Sequence, residues 1–588
     1  MAKPKVGDKT HIKSPISSRA EFYTDSLLIR PWGSLVKFTL DIFIAALAVS
    51  LLASVATAGA EDKKQAAKTD VAAESNTTKA AEAAPASDST TQATIDLGGQ
   101  HIAYTAIAGT ITVGATDTDD AQLGPDGKPL PDSQLALAAP KEPADAPPVA
   151  RMFYVAYFKT GAKAEERPVT FFYNGGPGSS TMWLHMGSLG PKYVETASDT
   201  HLPGAPYKLI DNPDCLLDES DLVFIDMPGT GFGRLAGKDA GKAFWGVDQD
   251  AEAFARFIAR FLVKYGRWNS PKFLFGESYG TTRSAVLADL LENEKSVDLN
   301  GVMLLGQIFN FPMAMGVGGS GPGMDMPYAL ALPTYAATAW YHKKLSPQPP
   351  ALDPFLKEVE DFALGEYTHA LAMGNALSDA EKQQVAQKLH EYTGLPVDYV
   401  IKANLRPDAG QFRQEFENEE GMSTGRYDTR FLGPTIDPLS ERPAYDPQSA
   451  AISSAYFSLV NQYLRKSLNY GTGETYLPSA LFDGAQWNMA RSGPGGLRSA
   501  TGLNVSGDQA EAMKTNPRLK VMVNDGYYDL ATPFFAAEYE EEHLPIPSAL
   551  TKNIEYDWYE AGHMAYVRDE CRKLLHDRVV AFIKSSDQ

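Results

Sequence analysis

Gly276-Glu277-Ser278-Tyr279-Gly280 constrains this 588-residue chain more than any other segment. It follows the apolar run Phe273-Leu274-Phe275 and precedes a helix-like stretch from Thr281 to Leu291. A strand that turns into a helix within one residue brings the two backbones almost into contact. Positions flanking the apex then have no room for a Cβ, which glycine at 276 and 280 satisfies. The apex residue is held in a strained conformation with its side chain exposed, the geometry of a serine nucleophile. A surface loop can collect the same residues, so the motif needs partners elsewhere in the chain.

Those partners occur in the order that an α/β-hydrolase requires: Ser, then acid, then His. Upstream, Asn174-Gly175-Gly176-Pro177-Gly178-Ser179-Ser180 follows the strand-like run Val169 to Tyr173. A glycine-rich loop after an early strand can bring one backbone N–H to an oxyanion, and the residue after the nucleophile, Tyr279, supplies the second. Downstream, the strand-like Leu519 to Val523 runs into Asn524-Asp525-Gly526-Tyr527-Tyr528-Asp529, with Thr532-Pro533 just beyond. Asp525 and Asp529 both qualify as the acid. Asn553 to Trp558 is a further strand candidate ending in Ala561-Gly562-His563-Met564, and a helix-like tail follows from Arg572 to Ile583. Of ten histidines, His563 alone follows the acid loop on a glycine turn beyond a strand.

The Asn-Gly-Gly-Pro-Gly-Ser block, Gly-Glu-Ser-Tyr-Gly and Gly-His-Met together resemble the serine carboxypeptidase family, in its bacterial form, over roughly residues 150–585. The resemblance favours Asp529 in Asp529-Leu530-Ala531-Thr532 as the acid. It implies catalytic roles for Ser278, Asp529 and His563, and an oxyanion site at Gly176 and Tyr279. It also implies that Asn174 and Glu277 bind a substrate's free C-terminal carboxylate and that Met564 lines the leaving-group pocket. A carboxyl group beside a bound carboxylate must be protonated to act as a donor. On the residues alone, Glu277 could equally cap the elbow helix. The family's second glutamate, fourteen residues after Asn174, is Ser188 here, and its cysteine after Pro-Gly is Ser179. Cys215 and Cys571 could pair, or stand as two isolated thiols.

The implied fold is α/β: a mostly parallel central sheet flanked by helices, with a helical cap insertion. Asp221 to Asp226 and Gly301 to Gly306 are further strand candidates. Phe254, Ile258, Phe261, Leu262 and Tyr265 fall at helical spacing. The 250 residues between Ser278 and Asp529 exceed what a sheet needs. Core segments are therefore expected at 96–310 and 501–588, with a mostly helical insertion at 311–500. In the latter, Ser378 and Glu381 form a capping box and Gly394 and Pro396 end the helix. Residues 96–150 suggest two short edge strands, Ile102 to Ile107 and Gly109 to Gly114.

Residues 1–60 carry seven Lys/Arg against four Asp/Glu, and Ile42 to Ala60 is uncharged. Ending in Ala56-Thr57-Ala58, this pattern suggests an export signal, with a retained membrane anchor over 42–60 as the alternative. Residues 61–95, rich in Ala, Thr, Ser, Lys and Glu without an aromatic, suggest a disordered linker. A net charge of −20 argues against a nucleic-acid partner. No cofactor is expected, since neither metal-ligand spacing nor a phosphate-binding glycine loop is present. The expected function is therefore an exported (periplasmic or secreted) serine carboxypeptidase acting on peptides with a free C-terminus. An esterase or acyltransferase with the same three residues, or a non-enzymatic surface partner, are the alternatives.

Overall fold

The computed structural model describes residues 88–125, 127–130, 146–315, 321–482, 486–493 and 502–586. The expected leader at 1–60 and most of the expected linker lie outside them. Fourteen strands are described: β1 Ser89–Leu97, β2 Gln100–Gly114, β3 Val149–Lys159, β4 Val169–Tyr173, β5 Lys192–Val194, β6 Leu209–Asp211, β7 Asp221–Ile225, β8 Arg234–Ala236, β9 Lys272–Glu277, β10 Gly301–Leu305, β11 Met422–Thr424, β12 Leu432–Pro434, β13 Lys520–Gly526 and β14 Ile554–Tyr559.

The main sheet runs β1-β2-β3-β7-β4-β9-β10-β13-β14, with β8 on the flank of β3. From β7 to β14 every neighbouring pair is parallel. The first strands are antiparallel. The order β3-β7-β4-β9 places two crossovers about β4, so β4 and the nucleophile strand β9 sit at the centre. This mostly parallel, helix-flanked sheet is the α/β-hydrolase arrangement expected from the motifs. The central strands β4, β7, β9 and β10 are buried along their whole length, as near-continuous apolar runs covered on both faces should be. Alternate residues feed opposite faces. Phe172, Phe224 and Phe275 join one hydrophobic cluster, and Phe171, Val223 and Leu274 join the other. Helices Val247–Tyr265 and Tyr279–Asn293 cover the second face, and the C-terminal helix Asp569–Ser586 contributes to the first.

Two expectations change at the sheet edge. β2 is one continuous strand through Gly109, not two short ones, because β1 and β3 pair with it along most of its length. β1 begins at Ser89, inside the segment expected to be linker. Its Ser/Thr-rich run suits an extended edge that hides only Ile95 and Leu97.

The described residues of the segment expected as an insertion are mostly helical, with the short pair β11–β12 among them, and have their own cluster of buried residues from Met315 to Phe416 that also takes in Tyr528, Leu530 and Phe534. Its helix Asp379–Thr393 carries the Ser378–Glu381 capping box and ends at Gly394 in the left-handed conformation. The later helix Pro447–Lys466 behaves differently. Ile452, Ala455, Leu459 and Val460 pack into the cluster of the first sheet face. Cys215 and Cys571 are both buried and unpaired. Among the described residues, no helix is long and apolar enough to cross a membrane.

Candidate active site

β9 ends at Glu277 and the next helix begins at Tyr279, leaving Ser278 alone at the turn. Its backbone has φ 62° and ψ −129°, a region costly for any residue with a side chain. A Cβ on Gly276 would lie 2.3 Å from the Gly280 carbonyl oxygen, and one on Gly280 would lie 2.8 Å from that of Tyr173. The Ser278 N–H donates to the Leu305 carbonyl at 2.8 Å, tying the turn to β10.

The loops after β13 and β14 bring Asp529 and His563 together. His563 Nδ1 lies 2.6 Å from Asp529 Oδ2. Asp529 Oδ1 accepts the N–H groups of Ala531 and Thr532 at 2.8 and 3.0 Å, and the Thr532 hydroxyl donates to Oδ2 at 2.7 Å. Burial alone would push the imidazolium down, but the Asp529 carboxylate outweighs it, so the His563 pKa sits above its ordinary value. Gly306 lets the ring in: a Cβ there would be 2.8 Å from His563 Nδ1. Asp525, the other acid candidate, is buried at the end of β13. Its Oδ1 accepts the Gly526 N–H at 2.9 Å and its Oδ2 has no partner among the described residues. Burial, then the neighbouring Asp529, push its pKa well up. Asp529 is thus the carboxylate that meets His563.

Ser278, His563, Glu277, Asn174, Gly176 and Met564 line one cavity of about 180 Å³. Glu277 is buried; its Oε2 accepts the Tyr566 hydroxyl at 2.8 Å, and Asn174 hydrogen-bonds to it as well. Burial raises its pKa to about 7, partly offset by His563. The Gly176 and Tyr279 backbones flank the nucleophile: a Cβ on neighbouring Gly175 would lie 2.3 Å from the Tyr279 nitrogen. The Tyr279 side chain turns away, edge-on to Trp487. Ser188 is fully buried and donates to the Leu184 carbonyl at 2.6 Å, so it does not occupy the place of a second carboxyl.

Several residues at the site carry no sequence signal of their own. Arg283, on the nucleophile helix, pairs with Asp250 at 2.6 Å, both fully buried, and donates to the Asn174 carbonyl at 2.8 Å. The Tyr427 backbone carbonyl accepts the His563 backbone N–H at 2.6 Å, and Tyr427 stands at the cavity wall. Gln448 and Ile452 reach the same wall from helix Pro447–Lys466. Only the tertiary fold brings insertion residues to a nucleophile more than a hundred positions earlier.

A family model described as serine carboxypeptidase matches residues 144–310. Over this segment the chain is similar to the serine carboxypeptidases. The matched segment holds Asn174, Glu277 and Ser278 and ends before Asp529 and His563. "Serine carboxypeptidase-like 36" of Arabidopsis thaliana is 25% identical over 162 residues, 27% of this chain and 32% of its own length. The likeness thus spans about a third of that serine carboxypeptidase relative. Among solved structures, a proline iminopeptidase of Mycobacterium smegmatis is 12% identical at TM-score 0.30, covering 74% of this chain and 96% of its own. An epoxide hydrolase of Aspergillus niger is 12% identical at TM-score 0.28, covering 74% and 76%.

Proposed function

We propose that this chain is a serine-type carboxypeptidase that removes C-terminal residues from peptides through an acyl-enzyme. Ser278 Oγ attacks the scissile carbonyl while His563 Nε2 takes its proton. Asp529 holds the imidazole with Nδ1–H toward the carboxylate and stabilises the imidazolium. The N–H groups of Gly176 and Tyr279 receive the oxyanion. His563 then protonates the leaving amine, and water releases the acyl group by the same steps in reverse. Asn174 and protonated Glu277 receive the terminal carboxylate, and Met564 lines the pocket for the departing residue.

The observation that carries this reading is Glu277. Glu277 is buried beside the nucleophile with its pKa raised to about 7, so below that pH it is protonated and can donate to a carboxylate. An esterase or acyltransferase has no need of it. The test pairs fluorophosphonate labelling of Ser278 with turnover of N-blocked dipeptides, their C-terminal amides and simple esters. Release of free amino acids, with acids preferred over amides, is the expected result. Turnover of esters alone would replace the reading with an esterase.

A further inference from the structure

We propose that Gln448, on helix Pro447–Lys466 of the insertion, is a specificity-determining donor to the substrate's terminal carboxylate. This inference rests on the carboxypeptidase reading above. Gln448 is only 1% exposed, lines the cavity that holds Ser278, Glu277 and His563, and its Nε2 has no hydrogen-bond partner among the described residues. Leaving a buried amide N–H unpaired gives up its hydration with no hydrogen bond in exchange. A donor left open at the wall of a reactive cavity is most simply explained by a ligand that closes it.

The mount is rigid. Asp446 caps the helix by accepting the Ser449 N–H at 2.8 Å, and Pro447 occupies the first turn. Ile452, Ala455 and Leu459 lock the following turns into the sheet-face cluster. Gln448 therefore sits in the capped first turn of a helix packed against the sheet.

The chemistry of the cavity says which ligand group it meets. Among the described residues that line it, none is a lysine or arginine, so an entering carboxylate finds only neutral donors and His563. Glu277 and Asn174 stand on one part of the wall and Gln448 comes from another element altogether. Ser188 is turned away. The Gln448 amide NH2 adds to Asn174 a second neutral donor, carried on a different element, without a charge that would need burial.

The test is the ratio of kcat/KM for an N-blocked dipeptide to that for its C-terminal amide, in wild type, Gln448→Leu and Gln448→Glu. One charge-assisted hydrogen bond is worth roughly ten-fold or more. The ratio should fall by about that factor in Gln448→Leu, chiefly through KM. It should fall further in Gln448→Glu above the pKa of the introduced carboxyl and recover as that carboxyl is protonated. Gln448→Glu also keeps the side-chain shape should Gln448→Leu fail to fold, and a thermal melt checks both. Equal losses on acid and amide would place Gln448 against the peptide backbone and overturn the proposal. So would a wild-type acid preference that survives both substitutions, with the carboxypeptidase reading intact. A wild type that does not prefer acids over amides would overturn that reading, and this inference with it.

Discussion

Glu277 and His563 titrate as a pair, because each group's charge bears on the other's pKa. The proposed mechanism needs Glu277 protonated and His563 neutral. Moving one proton from Glu277 to His563 gives an unproductive form with the same total charge. For peptide acids kcat/KM should therefore be bell-shaped, falling on the alkaline side as Glu277 ionises through about 7. Amides and esters lack the carboxylate, so their rates should hold there. Glu277→Gln should flatten the alkaline fall for acids. It also removes a negative charge that raises His563, so the acid limb should move to lower pH. Parallel pH–rate profiles test this, and an unchanged alkaline limb in Glu277→Gln would make Glu277 structural. Asp529→Asn should lose about 10⁴ in kcat. Asp525→Asn should lose much less, since it is Asp529 and not Asp525 that meets the imidazole. The reverse order would show that the wrong acid has been assigned.

At the scale of elements, the strands that frame the nucleophile follow directly from apolar runs. β4, β7, β9 and β10 coincide with runs legible in the sequence because both faces of a central parallel strand are buried. The edge was less legible. β1 is half-exposed and polar, so its pairing with β2, not its composition, makes it a strand. Another element-scale device, the Arg283–Asp250 pair, joins helix Tyr279–Asn293 to helix Val247–Tyr265 and reaches the Asn174 loop. Arg283→Leu leaves Asp250 buried without its partner and should cost about 3–5 kcal/mol in denaturant unfolding. Adding Asp250→Leu should restore much of that stability. It should not restore kcat/KM, because the Asn174 carbonyl still lacks its donor. Full recovery of activity in the double variant would limit the pair to a structural role.

Across the described residues, burial raises the pKa of several carboxyls, Asp226 to about 7, Glu540 to about 7 and Glu541 to about 8. Their folded pKa values lie above the ordinary range near 4, so the folded state binds more protons than the unfolded one between these limits. Their contribution to stability is complete at low pH and lost as pH rises through about 7 to 8. His185, which burial lowers to about 3, acts the other way and gains stability as pH rises towards its ordinary value. Among the described residues the raised carboxyls, which also include Glu277, Glu292, Glu360, Asp508 and Asp525, outnumber it. Tm by calorimetry should therefore be higher near pH 6 than near pH 8, and Glu541→Gln should reduce that difference. A flat profile would mean that these carboxyls are solvated. The leader pattern of residues 1–60 makes a separate prediction: mass spectrometry of exported protein should find a mature N-terminus near Gly59 to Glu61. Intact, detergent-requiring protein retaining Ile42 to Ala60 would establish the anchor instead.

What the residues alone determine is local and short-ranged. A strand–turn–helix with glycine at 276 and 280 can place Ser278 in one way only, and the chain order Ser278, Asp529, His563 follows from loops after successive strands. Even there, Asp525 and Asp529 stayed open on the residues themselves. The tertiary structure separates them, because which carboxylate faces an imidazole 34 positions away depends on how β13 and β14 lie side by side. The same holds for the cavity wall. Arg283, Tyr427 and Gln448 carry no motif, since buried pairing and unpaired donors exist only between elements distant in sequence. Periodicity reports what a segment hides, and only packing decides what it hides it against.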